Sequence, residues 1–173
     1  MSKPILILDI DGVIRNILPS ILKCYNWSVP FPISEKDCNK YDLAFISDKR
    51  AFFIKHGEEI FRNSPMFPEV TEAIGILKKV CKVIFVSSQY DENIDYTNDW
   101  LSSHNLSDIE VIYTWDKNEV QSDIIVDDCP KNLQFHNAPV KFLFDAVYNK
   151  DEDCKRVFSL FHLIHELSFY MEV

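Results

Sequence analysis

Two aspartates two positions apart, Asp9 and Asp11, stand where the short apolar run Pro4 to Leu8 ends. On an extended backbone, residues two apart point to the same side. Carboxylates held that close repel one another unless a cation or a shared proton intervenes. A hard divalent metal meets that need, and Mg2+ binds through one or two carboxylates plus phosphate oxygens. A second pair, Asp127 and Asp128, follows the apolar run Ile124 to Val126 and is placed to complete such a site. A carboxylate can attack phosphorus to form an aspartyl-phosphate. A second carboxyl can protonate the leaving oxygen and later activate water. The remaining requirement is positioning and charge neutralisation, toward which Lys117, Ser87 and Ser88 supply a cation and hydroxyl donors. Gly12 allows the chain to turn sharply after the first pair.

These residues need a frame that brings them together. Pro4 to Leu8, Lys82 to Val86, Glu110 to Tyr113, Asp123 to Val126 and Val140 to Phe144 read as short buried strands. Glu69 to Val80 has helical periodicity after Pro68, Ile94 to Ser103 reads as a helix, and Asp153 to Tyr170 reads as a closing amphipathic helix. Strands alternating with helices predict an α/β fold, a Rossmann-like parallel sheet covered on both faces. Asp9 and Asp11, Ser87 and Ser88, and Asp127 and Asp128 each follow a strand, and sites in such sheets form at the carboxyl ends of the strands. Lys117 alone reads as a solvated lysine; its place six residues before the next strand argues for the site. The two serines also suit helix N-caps, which is compatible with seating a phosphate.

One spacing is anomalous. About 70 residues separate Asp11 from Lys82, whereas a βαβ unit needs roughly 30. The expected organisation is a core of residues 1–15 and 67–173 with residues 16–66 as a small, mainly helical cap. The cap is rich in aromatics, Tyr41 among them. Most must form its own core, since aromatics bury large areas; Trp27, Phe52 and Phe53 are the candidates to face a substrate.

The 173 residues carry a formal net charge of −9 with no basic stripe, which argues against long nucleic acid and anionic membranes as partners. Five cysteines, without a C-x-x-C pair, read as free thiols of a reducing cytoplasm. The N-terminus runs directly into a strand without signal-peptide design, and no apolar run reaches membrane-spanning length.

Asp9-Ile10-Asp11-Gly12-Val13 resembles the first motif of the haloacid dehalogenase-like phosphatases, D-x-D-G-[VT]. Val86-Ser87-Ser88 resembles their second motif, Lys117 their third and Asp127-Asp128 their fourth. Within that superfamily, Tyr113 to Lys117 and Ser122 to Pro130, with a ten-residue step from Lys117 to Asp127, are similar to the 5'(3')-deoxyribonucleotidases. Phe67 to Val70, Tyr96 and Trp100 fit the same family. The resemblance implies a Mg2+-dependent phosphomonoesterase of the 5'-nucleotidase type that acts on (deoxy)nucleoside monophosphates, in the cytoplasm and as a homodimer. It implies Asp9 as nucleophile and metal ligand, and Asp11 as acid/base and metal ligand through its backbone carbonyl. Asp127 is implied as the third metal ligand, Asp128 as an orienting carboxylate, and Ser88 and Lys117, with Ser87 nearby, as phosphate holders. Two departures stand out: Cys129 occupies the arginine position of D-D-R-P, and Ser87-Ser88-Gln89 replaces Thr-Ser-Pro. They leave room for another small phosphomonoester, a polynucleotide 3'-phosphate end, or a non-catalytic nucleotide-binding module on the same fold.

Overall fold

The computed structural model describes residues 2–40 and 43–170; Tyr41, among the aromatics expected in the inserted segment, lies outside them. Six parallel strands, β1 (Ile5–Leu8), β2 (Lys82–Ser87), β3 (Glu110–Tyr113), β4 (Ile124–Asp127), β5 (Val140–Phe144) and β6 (Arg156–Val157), form one sheet in the order β3-β2-β1-β4-β5-β6. Successive side chains of a strand face opposite ways, and the core divides accordingly. Leu6 and Leu8 pack with Phe85, Val126 and Phe142 on one face, while Ile7 packs with Ile84, Ile125 and Leu143 on the other.

Helices cover both faces. α3 (Val70–Val80) and α4 (Ile94–Ser103) carry the crossovers from β1 to β2 and from β2 to β3, and bury Ile74, Leu77 and Trp100 on the first face. α5 (Pro130–Phe135) crosses from β4 to β5 and buries Leu133 on the second. The chain therefore moves outward from β1 in one direction, then restarts at β4 in the other. The order reverses between β1 and β4, and crevices in open α/β sheets form at such a point, beyond the carboxyl ends of the strands.

The expected C-terminal helix from Asp153 to Tyr170 is corrected. Arg156 and Val157 pair with Leu143 and Phe144 as β6, and the helix α6 spans only Leu160–Leu167. Val157 is fully buried in the sheet, and the Ser159 side chain accepts the His162 N–H, starting the helix at that point. Packing on the sheet edge outweighs the helical periodicity of the preceding residues.

Between β1 and α3 the chain makes α1 (Leu18–Asn26), a short turn at Glu35–Asp37, α2 (Lys49–Lys55) and one π-helical turn, Glu58–Arg62, and among the described residues it adds no strand to the sheet. Pro19 in the first turn favours α1, and the Asp48 carboxylate caps α2 by accepting the Ala51 N–H. This segment has apolar clusters of its own, one around Ile21, Ile46, Ile60 and Phe61 and another around Leu18, Leu22 and Cys38. It enters and leaves the sheet side by side: Asn16 N–H donates to the Pro65 carbonyl at 2.8 Å and Phe67 N–H to the Ile14 carbonyl at 3.1 Å. Among the described residues, no helix is long and apolar enough to cross a membrane.

Candidate active site

Asp9 is the first residue past β1. Its N–H donates to the Val126 carbonyl at 3.0 Å, so the ladder with β4 continues one residue beyond the strand and fixes the backbone there. One carboxylate oxygen accepts the Ile10 N–H at 2.7 Å; the other meets Lys117 Nζ at 2.8 Å. Asp127 ends β4 and is fully buried. Its carboxylate accepts from Lys117 Nζ at 2.7 Å, from the Cys129 N–H at 2.8 Å and from the Asn132 amide at 3.0 Å. Lys117 opens a single helical turn, Lys117–Glu119, which Asp116 caps by accepting the Asn118 N–H. That cap delivers the ammonium between the two strand ends, 4% exposed.

Asp128 follows at once. One of its oxygens accepts from the Tyr148 hydroxyl, and its carbonyl accepts from the Asn149 amide at 2.8 Å. Its other oxygen, Oδ1, is buried and has no hydrogen-bond partner among the described residues. Gly12 makes this packing feasible. It has a φ of +83°, and a Cβ there would lie 2.0 Å from Asp128 Oδ2 and 2.9 Å from the Tyr148 hydroxyl.

Charge is unbalanced in this cluster. Burial pushes the Asp9 carboxyl up to about 7, with Lys117 opposing and Asp127 and Asp11 adding to the rise. Burial, with Asp9 and Asp127 alongside, holds Asp128 well above the ordinary carboxylate range. Burial works against the Lys117 charge, yet Asp127 and Asp9 outweigh it and raise its pKa. Two carboxylates thus hold one ammonium, and a third lies beside them. Asp9, Asp127 and Asp128 each offer a carboxylate oxygen within 4.8 Å of the others. An all-oxygen set with an unpartnered buried acceptor and excess negative charge fits a hard divalent cation. Asp128, expected only to orient the site, is part of this group. The Asp11 carboxylate is not; its oxygens accept from Arg15 Nε at 2.7 Å and Gln89 Nε2 at 3.0 Å.

A cavity of about 420 Å³ opens over these strand ends. Asp11, Ser88 and Asp128 line its base; Asp9, Ser87, Lys117 and Asp127 are buried and do not line it. Ser88 Oγ donates to the Thr114 carbonyl at 2.7 Å, whereas the buried Ser87 Oγ has no partner among the described residues. Ile17, Leu18, Ile21 and Phe61 form much of the wall from the inserted segment, and Tyr90 and Trp115 stand on another side with ring centroids 5.2 Å apart. Of the three aromatics expected to face a substrate, Phe53 lines the cavity. Trp27 and Phe52 do not line it. Phe52 packs on the cluster around Ile21 and Phe61, and Trp27 is 62% exposed on the outer surface beyond α1. Phe52 and Phe53 both pack on that cluster, with ring centroids 5.6 Å apart, and only Phe53 reaches the cavity. Cys129 lines the cavity where the resemblance has arginine, and burial pushes its thiol up. The cations on the cavity wall are Lys49 from α2 and Lys131 from α5.

Several residues at the site were given no role from the sequence: Arg15, Gln89, Thr97, Asn132, Tyr148 and Asn149. Tyr148 and Asn149 follow β5, a strand end with no acidic pair to draw notice. Arg15 carried a readable signal, since with Asn16 it interrupts the apolar residues between Val13 and Leu18. Gln89 stood out only as a departure from Thr-Ser-Pro, without a role, and Thr97 carried no signal, because a polar residue on a helix is ordinary.

Known proteins agree with this geometry. Among solved structures, a haloacid dehalogenase-like family hydrolase from Streptococcus pneumoniae superposes with a TM-score of 0.65 at 11% identity, covering 98% of this chain and 99% of that one. A subfamily IA hydrolase of the same superfamily from Geobacter sulfurreducens superposes with a TM-score of 0.64 at 12% identity, covering 95% and 96%. In sequence, the 5'(3')-deoxyribonucleotidase of Clostridium acetobutylicum is 26% identical over 159 residues, 88% of either chain. That of Bacillus subtilis is 24% identical over 157 residues, 87% of this chain and 90% of its own. The family model for 5' nucleotidase, deoxy (pyrimidine), cytosolic type C protein matches residues 3–166. With nearly the whole chain matched and the motif residues gathered at the sheet's switch point, the chain belongs to this nucleotidase family of haloacid dehalogenase-like phosphoric monoester hydrolases.

Proposed function

We propose that the chain hydrolyses (deoxy)nucleoside monophosphates to nucleoside and phosphate, with Mg2+ and through an aspartyl-phosphate on Asp9. The observation that carries this reading is the Asp9–Lys117–Asp127 chain of contacts, with Asp128 beside it, below a cavity that Asp11 reaches. An Asp9 carboxylate oxygen attacks phosphorus as the bond to the nucleoside oxygen breaks, and Asp11 gives that oxygen a proton. Water then attacks the phosphorus of the aspartyl-phosphate; Asp11 takes its proton, and phosphate leaves with the Asp9 carboxylate restored. A bound Mg2+ supplies charge neutralisation at the phosphoryl oxygens. Asp9 and Asp127, the Asp11 carbonyl and the free oxygen of Asp128 are the groups to hold it. Lys117 bridges the Asp9 and Asp127 carboxylates, and Ser87 and Ser88 are the hydroxyls nearest the phosphate.

In this reading residues 16–66 act as a cap over a core of residues 1–15 and 67–173, and Phe53 and Phe61 meet the base. The net charge of −9 favours small nucleotides over long nucleic acid. The five free cysteines suit a cytoplasmic enzyme.

The test is phosphate release from a panel of 5'- and 3'-(deoxy)nucleoside monophosphates, with Mg2+ and with EDTA, for the wild-type chain and Asp9→Asn. Metal-dependent release is expected from the wild type and a loss on the order of 10⁴-fold or more in the mutant. Cleavage of aryl phosphates alone would keep the phosphatase and discard the nucleotide. Nucleotide binding without turnover in saturating Mg2+ would replace the enzyme by a binding module.

A further inference from the structure

Asp11 is one member of a closed ring of side-chain hydrogen bonds. Arg15 Nε donates to Asp11 Oδ1 at 2.7 Å, and Gln89 Nε2 donates to Asp11 Oδ2 at 3.0 Å. Thr97 Oγ1 donates to Gln89 Oε1 at 2.8 Å and accepts from Arg15 Nη2 at 3.1 Å. The ring draws on the loop after β1, the loop after β2 and the middle of α4. Arg15, Gln89 and Thr97 are buried; the Asp11 side chain retains 21% exposure. Asp11 and Gln89 line the cavity, and Arg15 and Thr97 do not.

The guanidinium is fixed on every side. Nη1 donates to the carbonyl of Phe61, in the π-helical turn of the inserted segment. The Phe61 and Trp100 rings flank it, with centroids 5.3 and 5.2 Å from its central carbon. Stability alone does not require an arginine at this position. A buried ion pair is often replaceable by apolar residues of similar volume without loss. What apolar side chains cannot do is fix both oxygens of a carboxylate in one orientation. Gln89, one of the departures from the family's pattern, is the second donor that does so.

We propose that Arg15, Gln89 and Thr97 are positioning residues that hold the Asp11 carboxyl in line with the leaving oxygen and tie it to the Phe61 wall of the cavity. This rests on the hydrolase reading above, in which Asp11 exchanges a proton with the leaving group and then with water. An oriented acid matters most for a poor leaving group. A nucleoside alkoxide needs its proton as the P–O bond breaks; a nitrophenolate leaves without one.

Arg15 is a poor first target, because its removal strands a buried carboxylate and empties a packed site. Thr97→Val breaks two ring bonds at nearly constant volume and touches neither Asp11 nor the cavity. The experiment measures kcat and KM in Mg2+ for a 5'-deoxynucleoside monophosphate and for p-nitrophenyl phosphate. The proteins are the wild type, Thr97→Val, Thr97→Ser, Asp11→Asn and the double variant Asp11→Asn/Thr97→Val. The expected result is a kcat on the nucleotide lowered roughly 10- to 100-fold in Thr97→Val, with KM unchanged and a smaller loss on the aryl phosphate. Thr97→Ser recovers most of the rate, and the double variant is no slower than Asp11→Asn alone. A wild-type kcat in Thr97→Val, equal losses on the two substrates, or a further loss in the Asp11→Asn background would each overturn the ring's role while leaving the hydrolase intact. Failure of the wild type to release phosphate from either substrate removes the hydrolase reading and the ring's role together.

Discussion

The cavity has two unlike sides. On the sheet side, each acidic side chain is placed by a strand end or an adjoining turn and tied to its neighbours, as Lys117 is to both Asp9 and Asp127. On the inserted side, the wall is mainly apolar, drawn from clusters around Ile21, Phe61 and Leu18 that lie mostly within that segment, with Tyr96 and Tyr148 of the core packed against them. The difference separates two tasks. Groups that exchange protons and charge must be held to within a fraction of an ångström, and parallel strands joined by backbone hydrogen bonds do that. A surface that recognises a substrate needs shape and apolar area, and short helices packed on one another provide these with few polar ties.

The comparison breaks first, and most visibly, at Lys117. Lys117→Met leaves Asp9 and Asp127 buried together without a cation. We expect a stability loss in EDTA of about 3–5 kcal/mol and a fall in kcat of at least roughly 100-fold. Thermal melting and phosphate release read the two effects. The cation on the opposite side, Lys49 at the start of α2, is exposed and lies on the cavity wall. Lys49→Met should keep the melting temperature and affect KM alone. Equal melting temperatures for the two variants would show that the sheet side is no more tightly built than the inserted side.

Gly12 is the next point of stress. An added Cβ would overlap Asp128 Oδ2, and the φ of +83° is strained for any L side chain. Gly12→Ala should cost more than about 1 kcal/mol and displace Asp128, so that activity falls further than stability alone explains. Activity per folded molecule, with the folded fraction taken from circular dichroism, is the measurement. Full specific activity in the folded fraction would mean that the Asp128 position is unimportant.

On the inserted side the effects should be smaller and fall on binding. Phe53→Leu keeps apolar volume but removes the ring, and should raise KM for a nucleotide about 3- to 10-fold, the range of a single aromatic contact. Trp27→Ala, on the exposed surface, should leave KM where it is. A KM change with Trp27 and none with Phe53 would reverse the assignment of the wall.

How much of this was legible in the sequence follows the same division. Buried strands announce themselves as apolar runs, and Asp9, Ser87 and Asp127 each stand where such a run stops, so the sheet and its carboxylate edge could be read directly. The partners of those groups could not. Asn132, Tyr148 and Thr97 reach the site through helical turns and loops whose direction no periodicity encodes. The inserted segment was readable as extra length and aromatic content, but which aromatic faces inward depends on how α1 and α2 pack, and Phe52 and Phe53 differ by one position. The β6 edge was hidden because two residues are too few to show alternation, and the amphipathic run that follows them masked it.

The smallest effect expected is a pH dependence, and it too should belong to the sheet side. His136 lies under the turn that carries Lys117. Its Nδ1 accepts the Ala138 N–H at 2.9 Å, so the proton of the neutral ring is on Nε2 and is donated to the Val120 carbonyl at 3.1 Å. Protonation would cost the first of these bonds, and burial lowers the pKa below its ordinary value of 6.5. The unfolded chain therefore takes up this proton more readily than the folded one. The contribution to stability is complete above about 6.5 and is lost as pH falls from there through the folded-state value. His136→Asn keeps an acceptor near Nδ1 without the titration, and should flatten the decline in melting temperature below pH 6.5. His56, in the inserted segment against the Phe52 ring at 4.9 Å, also has a pKa lowered by burial. It is less enclosed than His136, so His56→Asn should leave the slope close to that of the wild type. If His56→Asn flattened the acid limb as much as His136→Asn, acid sensitivity would be spread over both sides of the cavity, and the sheet side would lose its claim to be the part held by specific hydrogen bonds.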